Sequence, residues 1–206
     1  MTESRRVVLD RIRAALAAAP ADPVQVPRDY QRSPAGGPGD ADRFADAVCE
    51  YRAQVLRVDV ADIAPTVAGL IRSGGRAVVP PDLPAAWVRD LDVTRDSVEN
   101  PLPVAELDQA DAVVTGCALG IAATGTIVLD AGAAQGRRAL TLVPDHHVCV
   151  VFADQIVDTV PQAFAALDPL RPLTFISGPS ATSDIELARV EGVHGPRRLD
   201  VLLVRR

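Results

Sequence analysis

Four apolar segments crowd the second half of the chain, at residues 112–115, 126–129, 140–143 and 148–152, and the gaps between them are too short to hold a crossover helix. Neighbouring parallel strands need a crossover of roughly a dozen residues, so part of this block must pair in antiparallel or hairpin fashion. The flanking regions read differently. Helical patterns around Phe44, Val48 and Tyr51 and around Ile63, Val67 and Leu70 alternate with strand-like runs at 55–58 and 77–80. After the block come a helical pattern over 160–167, an apolar run at 173–177, a helix from Thr182 and a terminal strand over 201–204. Alternation of this kind builds a parallel sheet with helices on its faces. The expected fold is α/β, with a mixed, mainly parallel sheet into which the antiparallel block is inserted, and with flanking helices.

That domain is expected to span residues 41–206. Ahead of it, residues 3–18 place Val8, Ile12, Leu16 and Ala19 on one helical stripe, which Pro20 ends. From Pro20 to Asp40 stand five prolines and three glycines with few apolar residues, a composition that buries too little surface to order itself. Residues 1–40 therefore read as an N-terminal helical arm on a Pro/Gly-rich linker.

Several function classes fall away on composition. No run approaches the roughly 18 apolar residues of a membrane span, and Glu3, Arg5 and Arg6 stand where a signal peptide needs an apolar stretch, so the expected location is cytoplasmic. A net charge of −6 argues against nucleic acid. All 21 basic residues are Arg, which excludes Schiff-base chemistry and a P-loop lysine. Cys49, Cys117 and Cys149 are widely spaced and form no CxxC, so each reads as a small buried hydrophobe, with no metal, iron–sulfur centre or other cofactor expected in this chain.

Two segments carry candidate binding chemistry. Residues 115–126 contain Gly116, Gly120 and Gly125, but the spacing is not GxGxxG, and Thr126 stands where a P-loop needs Lys. What is left is either a tight turn into the next strand or a loop in which Thr124, Gly125 and Thr126 offer hydroxyls and backbone N–H groups to an anion. The second segment, residues 177–186, leads from an apolar strand toward the expected helix. Ser183 and Glu186 form a capping box, whereas Ser177, Gly178, Ser180, Thr182 and Asp184 are the candidate ligand-binding residues beyond the cap. Open α/β sheets gather ligands beyond the carboxyl ends of their strands, which would bring both segments to one edge. His146 and His147 occupy adjacent strand positions and point to opposite faces, which speaks against a three-histidine metal site. His147, His194 and Asp184 are the candidate acid–base residues. Arg137 and Arg138 form either a carboxylate clamp or a solvated surface pair.

Taken in order, Thr115-Gly-Cys117, Gly-Ile-Ala-Ala-Thr-Gly-Thr-Ile-Val-Leu-Asp130, Arg-Ala-Leu-Thr-Leu-Val-Pro-Asp145, Ile-Ser-Gly-Pro-Ser-Ala-Thr-Ser-Asp-Ile-Glu186 and Gly-Val-His-Gly-Pro196 resemble the lactate utilization protein C family, or LUD domain, over residues 41–206. The resemblance implies a fold like that of ribose-5-phosphate isomerase, glucosamine-6-phosphate deaminase and the CoA transferases. It also implies a role beside iron–sulfur partner subunits in oxidising L-lactate to pyruvate. Members often carry Glu before the Thr-Gly-Thr triplet; here that position is Ala123, which removes the carboxylate that acyl-anhydride chemistry would use. The expected role is a non-redox accessory subunit, not catalytic alone, that binds a small carboxylate or a partner. The alternative is an independent enzyme acting on a sugar phosphate or an acyl-CoA-like substrate.

Overall fold

The computed structural model describes residues 3–17, 25–28, 39–182, 190–191 and 195–205. The chain divides into two compact units, Met1–Arg32 and Ser33–Arg206. The first holds α1 (Glu3–Leu16), an amphipathic helix in which none of the side chains is buried. In the second unit the elements run α2 (Ala41–Glu50), β1 (Gln54–Asp59), α3 (Ile63–Leu70), β2 (Ala77–Val79), β3 (Val93–Arg95), α4 (Val104–Asp108), β4 (Ala112–Thr115), β5 (Leu119–Ile121) and β6 (Thr126–Leu129). They continue with β7 (His146–Phe152), β8 (Ile156–Val157), α5 (Val160–Ala166), β9 (Thr174–Ile176), β10 (Ala181–Thr182), β11 (Val190–Glu191) and β12 (Arg198–Arg205). Among the described residues, no helix is long and apolar enough to cross a membrane.

Six strands, in the order β1-β12-β7-β4-β2-β3, form one sheet in which every pairing is parallel. Strands covered on both faces must be apolar throughout, and β4 and the body of β7 and β12 are buried without interruption. One face packs Cys149, Val151, Val201 and Leu203 against Phe44 and Val48 of α2. The other packs Val148, Val150, Leu202 and Val204 with Ile63 and Val67 of α3. Asp40 starts α2 by accepting hydrogen bonds from the Asp42 and Arg43 amides at 3.0 Å each, satisfying two of the free N–H groups at the helix end.

The mainly parallel α/β architecture is as the sequence predicts, but the antiparallel block is not inserted into the main sheet. The runs at 112–115 and 148–152 are β4 and β7, parallel neighbours in the main sheet, whereas 126–129 is β6 of a second, four-stranded sheet, β8-β5-β6-β9, in which β6 pairs antiparallel with both neighbours. Ile127 and Leu129 on its inner face join the cluster around Phe44, while Val128 on its outer face joins Leu119, Ile121 and Ala163 of α5. The apolar run at 140–143 is not a strand. Arg138–Thr141 is a 3₁₀ turn whose Leu140 packs onto Val78, Leu107 and Val113, covering a sheet face without adding to the ladder. Nor does a helix start at Thr182, because Ala181–Thr182 pairs antiparallel with Val190–Glu191. Residues 183–189, with Ser183, Asp184 and Glu186, lie outside the described residues, as does His194.

Candidate functional site

The two-residue period of β7 sends its first two histidines to opposite faces of the sheet. His146 is buried against Asp200, with Nε2 2.7 Å from Oδ2, and Arg198 reaches the same carboxylate oxygen at 2.7 Å. His147, 1% exposed, faces the other way and shares a 2.8 Å hydrogen bond with the Thr115 hydroxyl on the neighbouring strand. A buried ring needs such a partner, and the parallel register of β4 with β7 supplies it.

Antiparallel pairing of β6 with β9 sets the beginning of one beside the end of the other. The Thr124 and Thr126 hydroxyls are 2.7 Å apart, and Thr126 is 2.7 Å from the Ser177 hydroxyl, so the three form a chain. The Thr124–Thr126 turn itself lies beneath α2: Gly125 has φ +57°, and a Cβ there would come 2.5 Å from the Ala47 carbonyl carbon. Gly178 is likewise left-handed, with φ +82°, and sits too close to Tyr51 to carry a side chain. That turn directs residues 177–181 toward Pro196, whose carbonyl oxygen accepts a 2.8 Å bond from the Ser180 amide.

A cavity of about 220 Å³ opens between this turn and the amino ends of β7 and β12. Its walls include Arg138, Thr141, His147, Ser177, Ser180 and Leu199. Arg138 donates to the Thr141 hydroxyl at 3.0 Å, and the cover of neighbouring atoms draws its guanidinium pKa down from the usual value. Among the described residues it makes no ion pair and the cavity wall holds no Asp or Glu. The adjacent Arg137 differs. It grips Asp96 through two hydrogen bonds, at 2.7 and 3.3 Å, and also binds the Leu102 carbonyl. Burial pushes the Asp96 carboxyl up, but the Arg137 hydrogen bonds, the Leu102 amide and the guanidinium charge outweigh it and hold its pKa below the ordinary value. One arginine of the doublet is thus spent on the fold, and the other lines a small polar cavity with no ion-pair partner among the described residues.

Of the residues singled out in the sequence, the structure gathers His147, Ser177, Gly178 and Ser180 at this cavity. Thr124, Gly125 and Thr126 reach it only through the Ser177 hydroxyl, and Thr182 continues into β10. Arg138, one half of the doublet read in the sequence as either a carboxylate clamp or a solvated pair, also lines it, and Thr141 is its unforeseen member. Cys117 and Cys149 are buried as expected, whereas Cys49 on α2 is exposed.

Residues 91–204 match the family profile of the LUD domain. The chain belongs to the LUD domain family. That match runs from β3 through β12 and so covers every wall of the cavity named above. A protein of Deinococcus radiodurans called lactate utilization protein C is 52% identical over 167 residues, which cover 79% of this LUD protein and 78% of that one. A second lactate utilization protein C, from Halalkalibacterium halodurans, is 33% identical over 53% of this chain and half of its own length. The crystal structure of a DUF162 family protein from Deinococcus radiodurans superposes with a TM-score of 0.67 at 46% identity, covering 79% of this chain and 94% of that one.

Proposed function

We propose that this LUD protein acts in lactate utilization by binding lactate or pyruvate in the cavity at Arg138, as a non-redox accessory subunit beside iron–sulfur partner proteins. The observation that carries the reading is the Arg138 guanidinium, which lines a cavity with no counter-carboxylate among the described residues. A planar guanidinium matches a carboxylate in a two-pronged hydrogen-bonded pair, which suits the acid end of the ligand. The Ser177 hydroxyl and the His147 ring also line the cavity, as polar groups for the 2-hydroxyl or 2-keto oxygen of a small acid. At about 220 Å³ the cavity has room for roughly seven waters at about 30 Å³ each. That suits a three-carbon acid and is small for a CoA thioester, since drug-sized ligands occupy roughly 300–1,000 Å³. Ala123 and the absence of carboxylates on the described walls weigh against catalysis by this chain alone. In this reading electrons pass through the partners, the chain itself holds no cofactor, the assembly is cytoplasmic, and residues 1–40 serve as an arm to the LUD domain.

Isothermal titration of the full chain against L-lactate, pyruvate, propionate, ribose 5-phosphate and CoA tests the proposal. Saturable binding of lactate or pyruvate, weaker for propionate, is expected. Saturation by the sugar phosphate or CoA with no response to the small acids would replace this reading with that of an independent enzyme.

A further inference from the structure

The hydroxyls behind Ser177 play no part in gripping a carboxylate. The antiparallel register of β6 with β9 pairs Ile127 with Ile176, so the next residues outward, Thr126 and Ser177, stand opposite each other. Their hydroxyl oxygens are 2.7 Å apart, and the Thr124 hydroxyl lies 2.7 Å from that of Thr126. The backbone fixes this spacing. Gly125 holds the turn at φ +57°, and α2 packs so close over it that a Cβ would meet the Ala47 backbone at 2.5 Å. Ser177 is exposed and lines the Arg138 cavity. Thr126 is only 6% exposed, and among the described residues its hydroxyl bonds to Thr124 and Ser177 alone.

A hydroxyl has one proton to donate and lone pairs with which to accept. Two oxygens 2.7 Å apart need a proton between them, so the direction of the Thr126 proton decides what Ser177 shows to the cavity. With that proton on Ser177, the Ser177 proton turns outward and the cavity meets a donor. With it directed to Thr124, Ser177 donates inward to Thr126 and the cavity meets a lone pair. The two directions are not equivalent. Toward Thr124 the proton finds two acceptors, the hydroxyl at 2.7 Å and the Thr124 carbonyl oxygen at 3.4 Å, whereas toward Ser177 it finds one. The chain is therefore biased inward, which leaves Ser177 an acceptor.

We infer, on the reading that Arg138 receives the acid group, that the Thr124–Thr126–Ser177 hydroxyl chain makes the cavity prefer a 2-hydroxy acid to the corresponding 2-keto acid. The 2-hydroxyl of lactate donates to the Ser177 lone pair. The 2-keto oxygen of pyruvate has no proton to give, so it sets lone pair against lone pair unless the chain reverses. A site built in this way holds the reduced acid and releases the oxidised one. Thr126 does not line the cavity and acts through Ser177, as a positioning residue. A cross-strand Thr–Ser pair also stabilises a sheet. That structural role would move the melting temperature and the affinity for every acid alike, whereas the hydroxyl chain moves the ratio of hydroxy to keto acid.

The test is isothermal titration of the full chain with L-lactate, pyruvate and propionate, on the wild-type protein, Thr126→Val, Thr126→Ser and Ser177→Ala, with a thermal melt of each. The wild-type protein is expected to bind lactate about fivefold more tightly than pyruvate, the worth of one net hydrogen bond. Thr126→Val keeps the side-chain shape but offers Ser177 no inward acceptor, so the preference should fall to parity or reverse. Propionate, which has no 2-oxygen, should bind both proteins equally. Thr126→Ser returns the hydroxyl and should return the preference. Ser177→Ala, at an exposed position, should also give parity, and it decides the matter if Thr126→Val does not fold. A wild-type preference for pyruvate, or a lactate-to-pyruvate ratio unchanged by Thr126→Val or Ser177→Ala, would overturn the inference and leave the carboxylate site standing. Binding of none of the three acids to the wild-type protein would overturn both.

Discussion

The two edges of the six-stranded sheet differ at one arginine: both pair most of their charges, Asp145 with Arg197 at the amino edge included, but Arg138 there meets no carboxylate among the described residues. At the carboxyl edge the ionic groups are joined to one another: Asp96, which directly follows β3, holds Arg137, and Asp130 holds Arg171. At the amino edge of β7 and β12, Arg138 faces its cavity with a threonine hydroxyl beside it and no carboxylate among the described residues. Removing one member of a buried pair destabilises a fold, whereas removing an unpaired surface charge does not. Binding energy is available where the fold has left a charge unused. The two arginines of one doublet therefore carry different tasks, and substitutions should separate stability from affinity according to the edge they touch.

The largest effect is expected from Arg138→Ala. Loss of the guanidinium should weaken lactate and pyruvate binding by about 2–3 kcal/mol, roughly 30- to 150-fold, with the melting temperature almost unmoved. Titration and a thermal melt on one sample read both. A large drop in stability would mean that Arg138 is a structural residue like its neighbour.

Asp96→Asn should do the reverse, costing about 2 kcal/mol of stability, at the low end for a buried pair because Arg137 retains contact with water, while leaving acid binding intact. Its pH dependence has a definite sign. The pKa of Asp96 is lower in the folded chain than in the unfolded one, so its contribution is fully present above the ordinary Asp value of about 3.9 and is lost as pH falls below that through the lower folded-state value. Denaturant melts of the two proteins should therefore differ at pH 7 and converge below about pH 4. A gap that persists in acid would show that the loss comes from packing and not from charge.

His147→Gln keeps a polar side chain near Thr115 but removes the ring from the cavity wall. About 1 kcal/mol of affinity, near fivefold, is the expected loss on titration. An unchanged affinity would place the ligand away from β7. The smallest effect belongs to the loop that closes the carboxyl edge, where exposed Ala131 is held at φ +55°. Ala131→Gly relieves that conformation and should raise stability by about 0.5 kcal/mol with no change in binding. A decrease would show that the surrounding contacts hold the alanine in place without strain.

Much of the architecture was legible because burial on both faces of a parallel strand forces continuous apolar runs, and those of β4, β7 and β12 stand out in the sequence. The run at 140–143 misled because a short, mostly apolar run suits a sheet-covering turn as well as a strand; what decides between them is contact with Val78 and Leu107, which is distant in sequence. The nearness of Ser177 to Thr126 was expected from parallel strands ending at one edge. It arises instead from antiparallel β6 and β9, and the cavity lies at the amino ends of β7 and β12. Arg138 could not be distinguished from Arg137 in the sequence, because the difference is made by Asp96, which the fold brings across from the end of β3. Asp184 and His194 fall outside the described residues.

The central claim is that the Arg138 guanidinium at the amino edge, unpaired among the described residues, and not a paired one at the carboxyl edge, receives the substrate acid. A crystal structure of the full chain grown with L-lactate tests it most directly. The expected result is lactate in the amino-edge cavity with both carboxylate oxygens about 2.7–2.9 Å from Arg138 nitrogens. Lactate seated instead beside Arg171 at the carboxyl edge, with the Arg138 cavity holding only water, would contradict it.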